Sequence, residues 1–276
     1  MQPLISVITV ALNAAKTISD ALASVAQQQA SFAIEHVLVD GGSADGTRAL
    51  IDRCAADSQS MQRIFEPDSG IYDAMNKGLR AARGEYVLFL NADDFLVSAD
   101  TLAAAMAGIG PVAEHSPALI VGDAVMGRLG TVGLWRHRRV PRLLGRLRGF
   151  GLYPVHQGQF TKRKLLQEIG GFDARLRLAA DLTQYYDLER VLHPTTRLLR
   201  RDVAFMHAGG AANAGMRAIR IGSLECFHHL SAHYGGLRAA VMVMVKTCQS
   251  LSEIRYGRCP HGRWFAAPAD STALNA

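Results

Sequence analysis

The feature that most constrains this chain is the regular alternation of apolar runs and amphipathic stretches from Leu4 to Asn91. Leu4–Val10 is an apolar, β-branched run that reads as a buried strand. Ile18, Leu22 and Val25 recur at helical spacing within Lys16–Gln28. His36–Val39 is a second strand, Thr47–Ala55 a second helix and Arg63–Phe65 a short third strand. Ile71–Arg83 is a third helix stopped by Gly84, and Tyr86–Leu90 a fourth strand. Such alternation builds a parallel sheet with helices on both faces. Sheets of this kind bind ligands beyond the carboxyl ends of their strands. The polar residues gather there: Asn13, Asp40, Asp68 and Asn91–Asp94 follow strands one to four.

The remainder is less regular. Ala99–Met106, Arg163–Ile169 and Asp181–Val191 read as helices, and Leu119–Val121, Arg197–Leu199 and Val203–Met206 as strands. Trp135–Gly151 reads as a basic loop or broken helix. Two helices follow Met216, and Pro260–Ala276 reads as a frayed end. The 276 residues suffice for one substantial core with an appendage. The expected division is a domain over 1–215, with a nucleotide-binding half (1–95) and an acceptor half (96–215), then a helical appendage (216–276). Hydrophobic content of 49% and charged content of 20% place the chain among globular proteins. It contains no internal repeat.

The net charge of +6 directs the chain toward phosphates: nucleotides, nucleic acid or an anionic membrane. The acidic strand ends argue against nucleic acid. Cys54, Cys226, Cys248 and Cys259 form no close-spaced framework and read as reduced thiols. The N-terminus lacks a basic leader, and no apolar run approaches the roughly 20 residues of a membrane span. The expected location is the cytoplasm, with peripheral contact on the inner face of the plasma membrane. Arg136, Arg138, Arg139, Arg142, Arg146 and Arg148 interleave with Trp135, Leu143, Leu144, Leu147 and Phe150. That pattern suits an anionic membrane or a lipid-diphosphate acceptor, and equally a solvated loop.

Three segments carry chemistry. Asp93 and Asp94 are adjacent carboxylates that repel unless a cation or donors sit between them. Mg²⁺ or Mn²⁺ suits such oxygens and bridges to phosphates; an Asp-rich turn accounts for them equally well. Asp40 opens the glycine-containing corner Asp40–Thr47 and has the chemistry to accept bonds from a base or ribose, while Ser43 or Asp45 suits a helix cap. The corner is not a dinucleotide fingerprint, because Ser43 occupies the third position. Glu66–Gly78 runs into a helix whose N-terminus faces the same rim and suits a phosphate; Asn76 or Lys77, a turn and a half inside, is placed to reach the ligand, and a solvated helix charge explains Lys77 equally well.

In this order and spacing, Ser6–Asn13, Val39–Thr47, Glu66–Gly78 and Gly84–Asp94 resemble the inverting family-2 glycosyltransferases of the GT-A fold, particularly bacterial enzymes of surface-polysaccharide synthesis. The resemblance implies an α/β, Rossmann-like, mostly parallel sheet with a C-terminal helical tail. It also implies transfer of a sugar from a UDP- or GDP-sugar to an acceptor hydroxyl, on a lipid-linked or oligosaccharide acceptor. The implied donor pocket comprises Thr9, Ala11, Asn13, Asp40, Asp68, Asn76, Lys77, Asn91, Asp93, His156 and Gln157. Asp94, with Asp93, would hold Mn²⁺ or Mg²⁺. Asp181, following Gly170-Gly171-Phe172-Asp173, would be the base that deprotonates the acceptor; its position also suits a helix cap. The chain departs from the family at Asn91, where an Asp is usual, and at Met75, where many relatives carry Arg. His207 stands where some relatives place an additional ligand. Cys226, His229 and His233 share a helical spacing at which zinc is conceivable, but no fourth ligand follows and a satisfied helix face explains it better. Two rival readings remain: a nucleotidyltransferase, disfavoured because Ala11–Lys16 lacks glycines, and an inactive nucleotide-sugar-binding protein that docks on membranes.

Overall fold

The computed structural model describes residues 2–56, 60–107, 109, 116–128, 131–140, 151–208 and 216–259. The N-terminal half follows the sequence pattern. Strand β1 (Ile5–Ala11), helix α1 (Ile18–Ala26), β2 (Ile34–Asp40), α2 (Thr47–Ala56), β3 (Met61–Phe65), α3 (Ile71–Ala81) and β4 (Tyr86–Phe89) alternate, and β3-β2-β1-β4 pair in parallel.

Alternation along β1 sends its side chains to two separate cores. Ile5 and Val7 pack with Tyr86, Leu88 and Leu102 on one face. Ile8 and Val10 pack with Met75, Leu79 and Phe172 on the other. Ile5 and Val7 are wholly buried, each contributing about 1.5–3 kcal/mol by transfer from water. Helix α3 is held there by Tyr72, Met75 and Leu79, whose spacing places them on one side.

The second half is built on antiparallel pairing. It contains β5 (Asp94–Leu96), α4 (Thr101–Met106), β6 (Leu119–Gly127), β7 (Val132–Arg138), β8 (Gln159–Lys162), α5 (Arg163–Glu168), α6 (Ala180–Leu192), β9 (Thr196–His207), α7 (Met216–Tyr234), α8 (Gly236–Ser252) and β10 (Ile254–Arg258). The sheet order is β10-β7-β6-β8-β4-β1-β2-β3, and β9 pairs with both β5 and β6. The result is a mixed sheet whose first four strands pair in parallel.

Strands β5, β7, β8 and β10 lay outside the sequence expectation. Trp135–Arg138 belongs to β7, correcting the loop or broken helix expected there. Residues 141–150, the rest of the arginine-rich segment, lie outside the described residues. Arg138 points inward and is buried: its guanidinium lies 3.1 Å from Glu253 and donates to the Tyr153 hydroxyl at 2.8 Å. The two strands expected within 197–206 are one continuous β9 with a bulge opposite Gly122–Asp123. The C-terminal segment is helical in α7 and α8, yet it also adds β10 to the sheet beside β7. No helix among the described residues is long and apolar enough to cross a membrane.

Candidate functional site

The ends of β1, β2 and β3 meet at one rim, and their polar side chains bind one another. Asn13 adopts a left-handed conformation (φ 51°). Its backbone N–H donates to Ser43 Oγ at 2.7 Å, and its Oδ1 accepts the Ala44 N–H at 2.9 Å. Asp40 is buried; it accepts the Ser43 N–H at 3.0 Å and the Ser43 hydroxyl. Asp45 accepts from Ala15 N–H, Thr47 N–H and Thr47 Oγ1, and the Thr47 hydroxyl and these donors hold its carboxyl below the usual range. Asp68 lies so close to the Asp40 corner that a Cβ on Gly41 would meet its Oδ2 at 2.0 Å. Only a glycine permits that approach.

Three expected donor contacts are engaged elsewhere. Thr9 is fully buried between β1 and β2, 3.0 Å from His36 Nε2, so its side chain serves the core and not the pocket. Burial pushes the His36 imidazole down to about 3, which keeps it neutral. Asn76 uses both ends of its amide on one backbone, donating to Phe172 O at 2.8 Å and accepting from Phe172 N–H at 2.9 Å. It joins α3 to the Gly171–Asp173 turn, and Gly171 (φ +75°) leaves room for it, since a Cβ there would meet Asn76 Oδ1 at 2.4 Å. Lys77 donates to Pro67 O and lies 3.7 Å from Asp73, which fixes the loop ahead of α3. Ala11 sits at the end of β1 and accepts the Gly41 N–H at 2.9 Å.

The remaining residues converge. A single turn of 3₁₀ helix, His156–Gly158, lies against β4, β6 and β9. Its Gln157 is buried and donates Nε2 to Asp94 Oδ2 at 2.8 Å. The adjacent His156 reaches the other way, with Nδ1 at 3.1 Å from Asp181 Oδ2. Tyr72, from α3, donates its hydroxyl to Asp181 Oδ1 at 3.2 Å. Asp181 lies in the first turn of α6, not at its cap. No side chain caps α6; Glu225 of α7 instead holds the loop ahead of it, accepting the backbone N–H groups of Arg177, Leu178 and Ala179 at 2.9–3.1 Å.

The electrostatics separate the two carboxylates. Burial disfavours ionisation of Asp181, but the hydrogen bond and charge of His156, the Leu182 N–H and Tyr72 outweigh it and hold the carboxyl below its usual range. Its side chain remains 27% exposed. Asp181 is therefore an ionised acceptor open to the cleft. Asp94 is 3% exposed, and burial together with neighbouring Asp93 pushes its carboxyl well above the usual range. Asp93 is only half-buried, and its backbone carbonyl lies 2.6 Å from His207 Nδ1.

Around Asp94, Asn91 Oδ1 and Gln157 Oε1 are buried without a hydrogen-bond partner, as is His156 Nε2 beside Asp181. Buried polar atoms are ordinarily paired. Amide oxygens left in this state beside two carboxylates match the donor set of a hard divalent cation. Asp93, Asp94 and Asn91 thus fit such an ion, and Asp93 is the carboxylate on the accessible side. Sequence reasoning missed Tyr72; nothing at its position marks it, because its partner lies 109 residues away.

A family model described as Glycosyl transferase family 2 matches residues 6–205. A PGL/p-HBAD biosynthesis glycosyltransferase of Mycobacterium tuberculosis is 39% identical over 182 residues, covering 65% of this chain and 67% of that protein. S. aureus TarS 1-349 in complex with UDP-GlcNAc is similar in fold, with a TM-score of 0.61 at 21% identity over 91% of this chain and 73% of that one. So is the mannosyltransferase PcManGT of Pyrobaculum calidifontis in complex with GDP-Man and Mn²⁺, with a TM-score of 0.58 at 21% identity, covering 90% of this chain and 76% of that one. The match along the chain and the GT-A architecture agree, and the protein belongs to glycosyltransferase family 2.

Proposed function

We propose that this glycosyltransferase inverts the anomeric centre of a UDP- or GDP-sugar while transferring the sugar to an acceptor hydroxyl, with Asp181 as base. The supporting observation is the 3₁₀ turn: adjacent His156 and Gln157 tie the base candidate to the acidic strand end. In this reading the acceptor hydroxyl approaches Asp181, which takes its proton as the oxygen forms a bond to the anomeric carbon. The bond from that carbon to the diphosphate breaks on the opposite side. His156 and Tyr72 fix the carboxylate and keep it ionised, so it enters the step unprotonated. Burial and Asp181 push the Tyr72 phenol up, so it remains a donor throughout.

Asp93, with Asp94 and Asn91, would hold Mn²⁺ or Mg²⁺, which when bound neutralises charge on the diphosphate. This reverses the order expected from the sequence. Asp93 becomes the principal ligand because it is accessible, and Asp94 is held inside by Gln157. The complexes of TarS with UDP-GlcNAc and of PcManGT with GDP-Man and Mn²⁺ support the donor class and the cation. Asn13, Asp40 and Asp68 shape the nucleotide rim through their loops, with Ala11 at its floor. The name of the mycobacterial relative, a PGL/p-HBAD biosynthesis glycosyltransferase, supports a biosynthetic role, and the acceptor in this reading is lipid-linked or an oligosaccharide. Peripheral membrane contact, expected from the arginine-rich segment 135–150, would in this reading also involve α8, where Leu237, Val241, Met244 and Leu251 are exposed beside Arg238; salt-sensitive co-sedimentation with anionic liposomes tests it.

The decisive experiment measures UDP- and GDP-sugar turnover with and without Mn²⁺, in the unaltered protein and in Asp181→Asn. The expected result is metal-dependent turnover that is lost in Asp181→Asn while donor binding persists. Turnover at the unaltered rate in that variant overturns the reading.

A further inference from the structure

Away from the cleft, α6 and α7 bring a second group of ligating side chains together. His229 and His233 stand four residues apart on α7, so they share one face. That face meets Asp187 of α6, and one ligand atom from each of the three lies within 4.8 Å of the others. His229 Nε2 is 3.0 Å from Asp187 Oδ2, yet this buried nitrogen makes no hydrogen bond there. The pair is close but wrongly directed. Arg190 lies 3.3 Å from the other Asp187 oxygen and orients the carboxylate. The two imidazole rings are 5.0 Å apart at 63°, edge to face and not stacked. A cleft of about 600 Å³ adjoins them, with Asp173 and Glu225 also on its wall.

A second cluster, Asp123–His137–Asp202, provides the contrast. There both ring nitrogens of His137 are engaged, one with Asp202 at 2.8 Å and the other accepting from Arg139 at 3.2 Å. Asp123 accepts the Val140 N–H at 2.7 Å. That cluster is satisfied by its own hydrogen bonds. The Asp187 group is not.

We propose that Asp187, His229 and His233 form a Zn²⁺ site, separate from the donor cation and with no ligand in common with it. Two imidazoles and one carboxylate suit Zn²⁺ over Mg²⁺, which takes oxygen ligands. Exposed His233 leaves the fourth position to water. The site spans the helix that carries Asp181 and the helix whose Glu225 holds the loop leading into it. Its role is to clamp α7 to α6 and so hold the loop leading to the base.

The test uses tag-free protein stripped with a chelator. Zn²⁺ binding is followed by calorimetry, Co²⁺ by its visible absorption, and stability by the thermal midpoint. We expect one equivalent of Zn²⁺ to bind and raise the midpoint. Loss of an outer partner to a metal ligand weakens binding about 10- to 100-fold, so His229→Ala, His233→Ala and Asp187→Asn each fall at or beyond the upper end. Because His233 is exposed, its replacement should leave the circular dichroism unchanged. Asp94→Asn should retain the site. Absence of saturable binding to the unaltered chain overturns the proposal. So does undiminished affinity in His233→Ala, or binding lost in Asp94→Asn but kept in His233→Ala.

Discussion

The rim of the parallel half and the cleft of the antiparallel half both carry conspicuous polar residues, but they use them differently. At the rim, Asn13, Asp40, Ser43, Asp45, Asn76 and Lys77 find partners within the protein, largely backbone groups of neighbouring loops. Among the described residues before Asn91, no buried side-chain oxygen or nitrogen lacks a hydrogen bond. In the cleft, Asn91, His156 and Gln157 each retain an unpartnered buried atom, and Asp94 and Asp181 are displaced in opposite directions from ordinary carboxylate behaviour. Unsatisfied atoms and separated carboxyl equilibria mark sites of chemistry. That contrast supports the proposed division of labour, with the rim positioning the donor and the cleft carrying the chemistry.

The largest expected effect tests the cleft. Asp181→Asn should lower kcat by about 10²–10⁴-fold, the usual contribution of a positioned base, with donor affinity little changed. Single-turnover kinetics separate the two. A parallel loss of donor affinity would show that Asp181 serves binding.

Asn76→Ala tests the rim. Its amide makes two hydrogen bonds to Phe172, so the variant should lose about 2–3 kcal/mol, read from urea unfolding. Donor KM should hold. A large rise in KM would return Asn76 to the donor pocket.

His156→Ala sharpens the link between Asp181 and its turn. Losing the partner raises the Asp181 pKa, so the acid limb of kcat/KM should move to higher pH, with a rate loss of about 10-fold or more. The stability sign follows: a carboxyl depressed in the folded state contributes above its unfolded value of about 3.9 and loses that contribution as pH falls through the folded value. The variant should therefore show a shallower loss of stability at acid pH.

Thr9→Val is the smallest effect, about 1 kcal/mol at neutral pH, because one buried hydrogen bond to His36 is removed. His36, depressed to about 3, contributes stability above its unfolded value and loses it as pH falls from about 6.5 toward 3. Thermal melts from pH 7 to 4 should show that fall, and His36→Asn should flatten it. Unchanged donor affinity in Thr9→Val keeps that residue in the core.

The parallel half was legible because local patterns specify it. Ile18, Leu22 and Val25 mark α1 by spacing alone, and the run Leu4–Val10 could only be a buried strand. The antiparallel half was not. Strand β7 is written Val-Gly-Leu-Trp-Arg-His-Arg, and its arginines read as solvent-facing. Arg138 is inside only because Glu253, far along the chain, meets it there. The site divided in the same way. Asp181 and Asp94 stood out as acids at element ends, whereas Tyr72 gave no signal, and Thr9 and Asn76 were read as pocket residues because a motif cannot show which way a side chain turns.

The sequence by itself determined the alternating elements, the family and the acids available for chemistry, since periodicity and residue type are local properties. The tertiary structure alone decided that Asp94 is buried while Asp93 stays half-exposed, and that the Asp181 carboxyl lies below and the Asp94 carboxyl above the usual range. Those outcomes depend on burial and on partners brought together across long stretches of chain, as when Gln157 reaches Asp94 and His156 reaches Asp181 from one turn. Solvation and hydrogen bonding set a carboxyl's equilibrium, and neither exists until the chain has folded.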